Sequence, residues 1–293
     1  MTSVPCLAPV AQPQRPREAT PSGGCDTHFH VFGPVGRFPY SSQRAYTPEE
    51  APLERVMEMH GVLGIERGVA VQGNAHGTDN SAMIDAVQRS GGRLRGVAIV
   101  PPDTTLATLR HFADAGVCAL RFHHIASALK ATFSPLGIEA FLKLAPAMAD
   151  LGLHLQLMLD ASQLPNVMPR LAEWRRPIVI DHYALAPAAS GPSHPAFESV
   201  RRYLAEGLIW VKLSAPYRIS ERYPDYEDVE PLHAALVRAN PEQVLWGTDW
   251  PHPRLARDMP DDGHLLDLFN AWTPSTLRQK ILVENPARLF GFA

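Results

Sequence analysis

The sequence predicts a (β/α)8 TIM barrel preceded by an irregular, proline-rich arm. Three observations predict it. Short runs rich in Val, Ile and Leu recur eight times, amphipathic stretches lie between them, and polar residues end most of the runs. A barrel places its active site at those strand ends. A doubly wound open sheet is the alternative for such an alternation, but no Gly-rich phosphate turn follows an early strand here.

The elements follow in order. Residues 1–23 carry five prolines and little periodicity. They are expected to form an arm on the surface or on a neighbouring subunit, with 24–293 as a single domain. The strand-like runs are 25–31, 67–72, 95–100, 118–122, 153–159, 177–181, 209–213 and 243–246, each bounded by Gly, Pro or polar residues. The helical stretch 49–60 puts Leu53, Val56, Met57 and His60 on one face, and 78–90 opens with the capping residues of TDNS ahead of Ala82, Met83, Ala86 and Val87. Residues 103–115 carry Leu106, Leu109 and Phe112 and stop at Gly116, while 134–151 opens with Ser-Pro and stops before Gly152. Further helices are expected over 195–206, ending at Gly207, over 226–239, and over 273–283 before NPARLFGF.

Composition narrows the function. Lys plus Arg number 27 against 30 Asp plus Glu, a net charge of −3 without a basic tract. That argues against nucleic acid and anionic membranes as partners. Three widely spaced cysteines make neither a disulfide framework nor a zinc ribbon, which suits a reducing compartment. The N-terminus lacks a signal-peptide plan, and no apolar run approaches the roughly 20 residues of a membrane helix. The expected location is the cytoplasm.

The run ends supply the candidate site. The first ends in His28 and His30, whose two-residue spacing points both imidazoles to one side. The second runs into QGNAHGTDN, with Gln72, Asn74 and His76; the fourth ends in Arg121, then His123 and His124. The fifth, LHLQLMLD, puts His154, Gln156, Met158 and Asp160 on one face. The sixth ends in Asp181 and His182, the seventh in Lys212, Ser214 and Arg218, and the eighth in Asp249 and His252. A lone histidine on a strand or helix is more often a core residue than a ligand, so His154, His60, His111 and His233 read as packing. Arg121 has a plain alternative as an ion-pair partner, and Phe29, Trp246 and Trp250 read as core. HxH and GTDW are weak motifs singly, but together with IDH on the sixth strand they make a specific set.

These residues resemble the amidohydrolase superfamily, from CDTHFHVFGP through QGNAHGTDN, IVIDH and VLWGTDWPHP to ENPARLFGF. HVFGP with the nearby RFPYSS, HGTDN and TDWPHP are similar to the branch of 2-pyrone-4,6-dicarboxylate lactonase and related sugar-lactone hydrolases. The resemblance implies the amidohydrolase type of barrel and a hydrolase that opens a carboxylated lactone, pyrone-, muconolactone- or aldonolactone-like, in aromatic or sugar-acid catabolism. It implies Asp249 as the general base, with His28, His30 and His182 polarising the lactone carbonyl. It also implies that Arg121, Arg218 and Tyr46 grip substrate carboxylates, with Gln72, Asn74, His76 and Met158 lining the site. The chain departs from the dicarboxylate lactonases where they carry two further arginines and a tyrosine. Ser127, Leu185 and Met158 stand there, so a lactone with fewer anionic groups, or one held differently, is expected. A sugar-acid lactone isomerase is similar over QGNAH, but its pattern lacks the full HxH pair and the aspartate, which favours hydrolysis here.

The same resemblance bears on metal. A mononuclear site of this superfamily takes a further histidine from the fifth strand, where this chain offers Gln156 and Met158, and a binuclear site takes a bridging residue from the fourth, where Arg121 stands. Metal-independent hydrolysis is therefore the first expectation. A single zinc ion held by His28, His30 and Asp249 is the alternative, serving a hydrolase or a decarboxylase of carboxylated rings. A catalytically silent binding barrel is the third reading, and the intact four-residue set speaks against it. The expected partner is a small carboxylated lactone, with a homo-oligomer as an open alternative.

Overall fold

The computed structural model describes residues 4–125 and 137–293. Eight parallel strands follow one another in chain order: β1 Cys25–Phe29, β2 Arg67–Val71, β3 Leu94–Ala98, β4 Val117–His124, β5 His154–Leu159, β6 Ile178–Ile180, β7 Trp210–Ser214 and β8 Val244–Gly247. Their residues are almost all buried because one face turns to the barrel interior and the other to a ring of helices. The helices that return the chain are α1 Leu53–Leu63, α2 Ser81–Arg89, α3 Leu106–Asp114, α4 Ile138–Asp150, α5 Leu164–Val167, α6 Pro195–Ala205, α7 Glu230–Ala239 and α8 Asp262–Trp272. All eight expected strands are present. The short α5, flanked by single 3-10 turns at Ala161–Gln163 and Met168–Leu171, and the whole of α8 are additions to the expectation.

Capping differs from the expectation at α2. Asn80 makes no side-chain cap there. Its amide instead clamps Ile99, donating to the carbonyl at 2.8 Å and accepting from the N–H at 3.0 Å, while Asp79 takes the Ser81 N–H at 3.0 Å. The helix start is thereby tied to the end of β3. After α8 the chain runs through α9 Ser275–Gln279, a π-helical turn Lys280–Glu284 and α10 Asn285–Phe290. Phe290 and Phe292 then pack with Cys25, Val69, Val97, Ala119 and Leu245, closing the interior at the N-terminal ends of the strands. His154 lies against Phe290 at 5.5 Å between ring centroids, so it is a core residue far from the mouth.

The proline-rich arm is a fixed strap rather than a loose extension. Val4–Pro5 pairs in parallel with Tyr46–Thr47, and the Leu7 N–H donates to Leu255 O at 2.9 Å. Farther along, the Gln14 N–H meets the Asp261 carboxylate at 3.0 Å and the Arg17 N–H meets Asp267 Oδ1 at 2.7 Å. The arm thus crosses from the loop after β1 to the loop after β8 and along α8. A Cβ on Gly263 would come within 1.9 Å of Gln14 O, so only glycine lets the arm pass. Among the described residues, no helix is long and apolar enough to cross a membrane.

Barrel closure rests on Asp26. Asp249 N–H donates to His28 O at 2.7 Å and His30 N–H to Trp250 O at 2.8 Å, joining the ends of β1 and β8. Beneath them the buried Asp26 carboxylate accepts from the N–H groups of His28 and Thr248, both at 3.0 Å, from Thr248 Oγ1 at 2.6 Å and from His60 Nε2 at 3.1 Å. Removing such a group leaves several buried donors unpaired. Asp26→Ala is therefore expected to cost on the order of 3–5 kcal/mol, read as a lowered urea midpoint at pH 7; an unchanged midpoint would contradict this role for the carboxylate.

Candidate active site

A bulge in β1 aims the two histidines. Asp26 pairs with Gly68 and Phe29 with Ala70, so β1 holds one more residue than β2 over the same stretch. Asp26 turns to the seam, while His28 and His30 both reach the mouth. His30 Nδ1 donates to Val71 O at 2.8 Å, which leaves Nε2 bare. That Nε2 lies 3.1 Å from Asp249 Oδ1, with His28 Nε2 at 3.5 Å and His182 Nε2 at 3.7 Å from the same oxygen. Three imidazole nitrogens from two strands thus surround one carboxylate oxygen from a third. Among the described residues, the Nε2 atoms of His28 and His182 are buried without a hydrogen-bond partner.

The other Asp249 oxygen is fully engaged. Oδ2 accepts from Tyr217 OH at 2.6 Å and from Arg218, Nε at 2.8 Å and Nη2 at 2.6 Å. Burial alone would raise this carboxyl, but the Arg218 charge and the surrounding imidazoles outweigh it and hold Asp249 well below the usual range. Burial has the opposite consequence for the imidazoles. It lowers His182 to about 3, and with the Lys212 charge it takes His28 well below its ordinary value. At neutral pH the site therefore holds the Asp249 carboxylate with the imidazoles of His28 and His182 neutral.

A polar layer under the mouth orients these rings. Asp181 accepts from Arg121 Nε and Gln156 Nε2, both at 2.9 Å, and lies 3.3 Å from His28 Nδ1. Lys212 donates to Thr27 O at 2.8 Å and Gln156 Oε1 at 3.0 Å, and meets His28 Nδ1 at 3.3 Å. Burial lowers Lys212 to about 8, with Asp181 opposing the shift. His182 Nδ1 contacts Ser214 Oγ at 2.8 Å.

The structure brings His28, His30, His182, Asp249 and Arg218 together. It places Arg121 one layer down, paired with Asp181 and 3.5 Å from Met158 Sδ, so the ion-pair alternative describes its geometry. Tyr46 is buried beside Phe32 on the segment paired with the arm. Gln72 uses its amide donors to hold the following loop, on Gly77 O at 3.1 Å and Asp79 O at 2.7 Å. His76 donates from Nδ1 to Pro39 O at 3.2 Å and receives the Gly33 N–H on Nε2 at 3.4 Å. Both side chains shape the loop through these bonds, and Asn74 begins the 3-10 turn between them. Leu185 ends a left-handed turn that starts at His182, and Ser127 lies outside the described residues. Sequence reasoning passed over Asp26 and Tyr217 and gave no role to Asp181, Gln156 and Lys212. The alternation of Trp210, Lys212 and Ser214 along β7 is the signal that could have placed the lysine inside.

The donor set fits one divalent ion. His28, His30 and Asp249 offer ligand atoms all within 4.8 Å of one another, and His28, Asp181 and His182 form a second such group. A bare His30 nitrogen facing a carboxylate oxygen at 3.1 Å needs a proton or a cation between them. Arg218 and Lys212 supply positive charge on either side of the same space.

The amidohydrolase family model matches residues 25–292, and the chain belongs to that family. It is 38% identical over 295 residues to a 4-sulfomuconolactone hydrolase of Hydrogenophaga intermedia, covering 98% of this chain and 94% of the relative. It is 37% identical over 290 residues to a 2-pyrone-4,6-dicarboxylate hydrolase of Comamonas testosteroni, covering 96% and 94%. A crystal structure of a protein from Agrobacterium tumefaciens superposes with a TM-score of 0.83 at 27% identity, over 95% of this chain and 99% of that one.

The buried imidazoles set the acid side of the stability curve. His154, His182 and His233 are each lowered to about 3 by burial. Unfolded, they titrate near 6.5, so between these values the unfolded chain binds more protons and stability falls as pH drops. Asp181 and Asp249, both depressed, add to the fall at its acid end. The urea midpoint is expected to hold steady just above pH 7 and to decline from about pH 6.5 downward. His154→Leu should flatten part of that decline, because it removes one of the lowered rings, which also include His28 and His123, without touching the mouth.

Proposed function

We propose that this member of the amidohydrolase family opens a carboxylated lactone by direct attack of water on the lactone carbonyl. The convergence of three imidazole Nε2 atoms on Asp249 Oδ1, with Oδ2 occupied by Tyr217 and Arg218, carries the reading. The relatives named as sulfomuconolactone and pyrone-dicarboxylate hydrolases support a lactone bearing an anionic group.

The hydrogen bonds support a division of parts. His30 Nε2 and Asp249 Oδ1, 3.1 Å apart, are both acceptors in this reading, and the attacking water donates one hydrogen to each of them. His28 Nδ1 is taken as acceptor from Lys212 rather than donor to Asp181, equally 3.3 Å away, and His182 Nδ1 as acceptor from Ser214, so that each ring keeps an Nε2–H for the carbonyl oxygen. Asp249 Oδ1 takes a proton from water as the new C–O bond forms and the carbonyl becomes an oxyanion. Collapse of that intermediate breaks the ring C–O bond, and the proton on Asp249 passes to the departing ring oxygen. A carboxylate held by Arg218 is a weak base in the resting site. A substrate carboxylate that shares the Arg218 guanidinium loosens its hold on Oδ2 and raises the basicity of Asp249 when the lactone is in place. Tyr46, Asn74 and Met158 complete the substrate side in this reading, and Arg121 stands behind them in its pair with Asp181. A divalent ion, when bound, would be held by His28, His30 and Asp249 and would activate water and carbonyl as a Lewis acid. Free thiols at Cys6, Cys25 and Cys118 support the cytoplasm as the location.

The test is acid release in a pH-indicator screen of carboxylated pyrones, muconolactones and aldonolactones. Wild-type protein is expected to open at least one of them, and Asp249→Asn to lose on the order of 100-fold or more in kcat while still binding that lactone by calorimetry. Turnover retained in Asp249→Asn would remove the proposed base. Ring opening that persists after chelation supports the imidazole mechanism. Stoichiometric zinc whose removal abolishes activity would move the carbonyl-activating role to the ion.

A further inference from the structure

A second buried chain of polar groups ends on the same carboxylate, from the side away from the three histidines. Tyr217 OH donates to Asp249 Oδ2 at 2.6 Å. His252 Nδ1 lies 3.1 Å from the same phenol oxygen, with the two rings edge to face at 5.3 Å. Its other nitrogen, Nε2, lies 3.1 Å from Asp262 Oδ1. His252 and Asp262 are fully buried, and neither Asp262 oxygen has a hydrogen-bond partner of ordinary geometry among the described residues.

Proton counting gives this chain a direction. The carboxylate of Asp249 accepts, so the Tyr217 proton lies toward it and the phenol oxygen is left to accept. His252 Nδ1 must then carry a proton. A bare Nε2 is unfavourable against a bare carboxylate at 3.1 Å when both are fully buried, so the His252–Asp262 pair holds one further proton. Whether drawn as imidazolium with carboxylate or imidazole with carboxylic acid, the pair is neutral overall, which is what burial favours. The backbone supports the same arrangement, since the His252 N–H closes a turn on Asp249 O at 2.8 Å.

We infer that Tyr217 is a positioning residue for the base, and that His252 and Asp262 act through it by keeping its hydroxyl proton directed at Asp249 Oδ2. The inference rests on the lactonase reading for its kinetic consequence. With Arg218 it leaves Oδ1 as the one oxygen able to accept a proton, so the base meets water on the face lined by His28, His30 and His182. Without the directed phenol, the carboxylate can rotate about its Cβ–Cγ bond and share its two oxygens among the donors.

Two measurements test it. In 15N-histidine spectra of the intact protein, Nδ1 of His252 is expected to be the nitrogen that carries the proton toward Tyr217; a bare Nδ1 would reverse the chain and overturn the inference, whatever the enzyme turns over. In kinetics, Tyr217→Phe is expected to lower kcat by about tenfold to 100-fold with KM within about twofold. His252→Asn keeps an amide N–H at the place of Nδ1 and should stay within about threefold of wild type, while His252→Gln moves the amide to the place of Nε2 and should fall with Tyr217→Phe. Equal kcat for the Asn and Gln variants, or an unchanged kcat in Tyr217→Phe, would reduce His252 to packing. Should wild-type protein open no lactone, the lactonase reading falls, and the nitrogen spectra still decide the direction of the chain.

Discussion

The seam between the first and last strands is the constraint on which the rest of the site depends. A barrel of eight parallel strands closes only if β1 meets β8, and here the two share few ladder bonds. Asp26 bridges them with four hydrogen bonds to β1, the turn after β8 and α1. Its position makes it more than a staple. The same bonds fix the backbone of His28 and of Thr248, which carry the imidazole pair and the base toward one another. A Cβ on Gly247 would lie 2.8 Å from the His28 nitrogen, so the approach is as close as backbone allows. The arm lies across this seam as well, and its bonds to loops on both sides oppose the same opening.

Charge balance explains how so polar a centre stays buried. Arg121, Lys212 and Arg218 face Asp26, Asp181 and Asp249, three cations against three carboxylates, with the imidazoles of His28 and His182 neutral. Each charge also has hydrogen bonds, which a buried ion needs in place of water. The arrangement has layers. Asp181, Gln156, Arg121 and Lys212 form a rigid floor, and Asp249 with its surrounding nitrogens stands on it. An anionic lactone entering this balanced site brings a negative charge that the floor cannot answer without giving up its own pairs. Arg218, partly exposed and bound to one oxygen of the base, is the cation placed to respond.

The fold was legible because a barrel strand carries its own marks. Eight apolar runs bounded by Gly, Pro or polar residues became eight strands, and three run-end motifs met at one mouth. Elements whose local sequence conflicts with their role were not legible. Helix α8 opens with DDGH, which reads as loop, and it depends on Asp261 capping Gly263 and His264 and on the arm lying over Gly263. The arm lacks periodicity because it is held by bonds to distant carboxylates rather than by an apolar face. Gln72 and His76 read as site residues since they follow a strand end; the bonds they make, to loop carbonyls and for His76 also to the Gly33 N–H, are ones that no spacing reveals. Arg121 raised the converse problem, since a cation at a strand end has the same pattern whether it meets a substrate or Asp181.

Backbone conformation shows where chemistry has overridden local preference. His182, Tyr183, Ala184 and Leu185 after β6, Ala215 after β7, and Asp249 and His252 after β8 all adopt left-handed φ between 48° and 64°. Each costs about 1 kcal/mol relative to glycine in the same place. At His182, Asp249 and His252, glycine or asparagine would ease the turn, but neither could supply an imidazole or an ionised carboxylate. The turns bend the chain immediately beyond the strand ends, so that side chains emerging from β6 and β8 fold back over the interior instead of pointing up into solvent. Hydrogen bonds repay the strain locally: Asp249 N–H to His28 O, His252 N–H to Asp249 O and Ala184 N–H to Asp181 O. At His182 and Asp249 a left-handed backbone and a site side chain coincide, because groups from separate strands must meet around a single carboxylate oxygen.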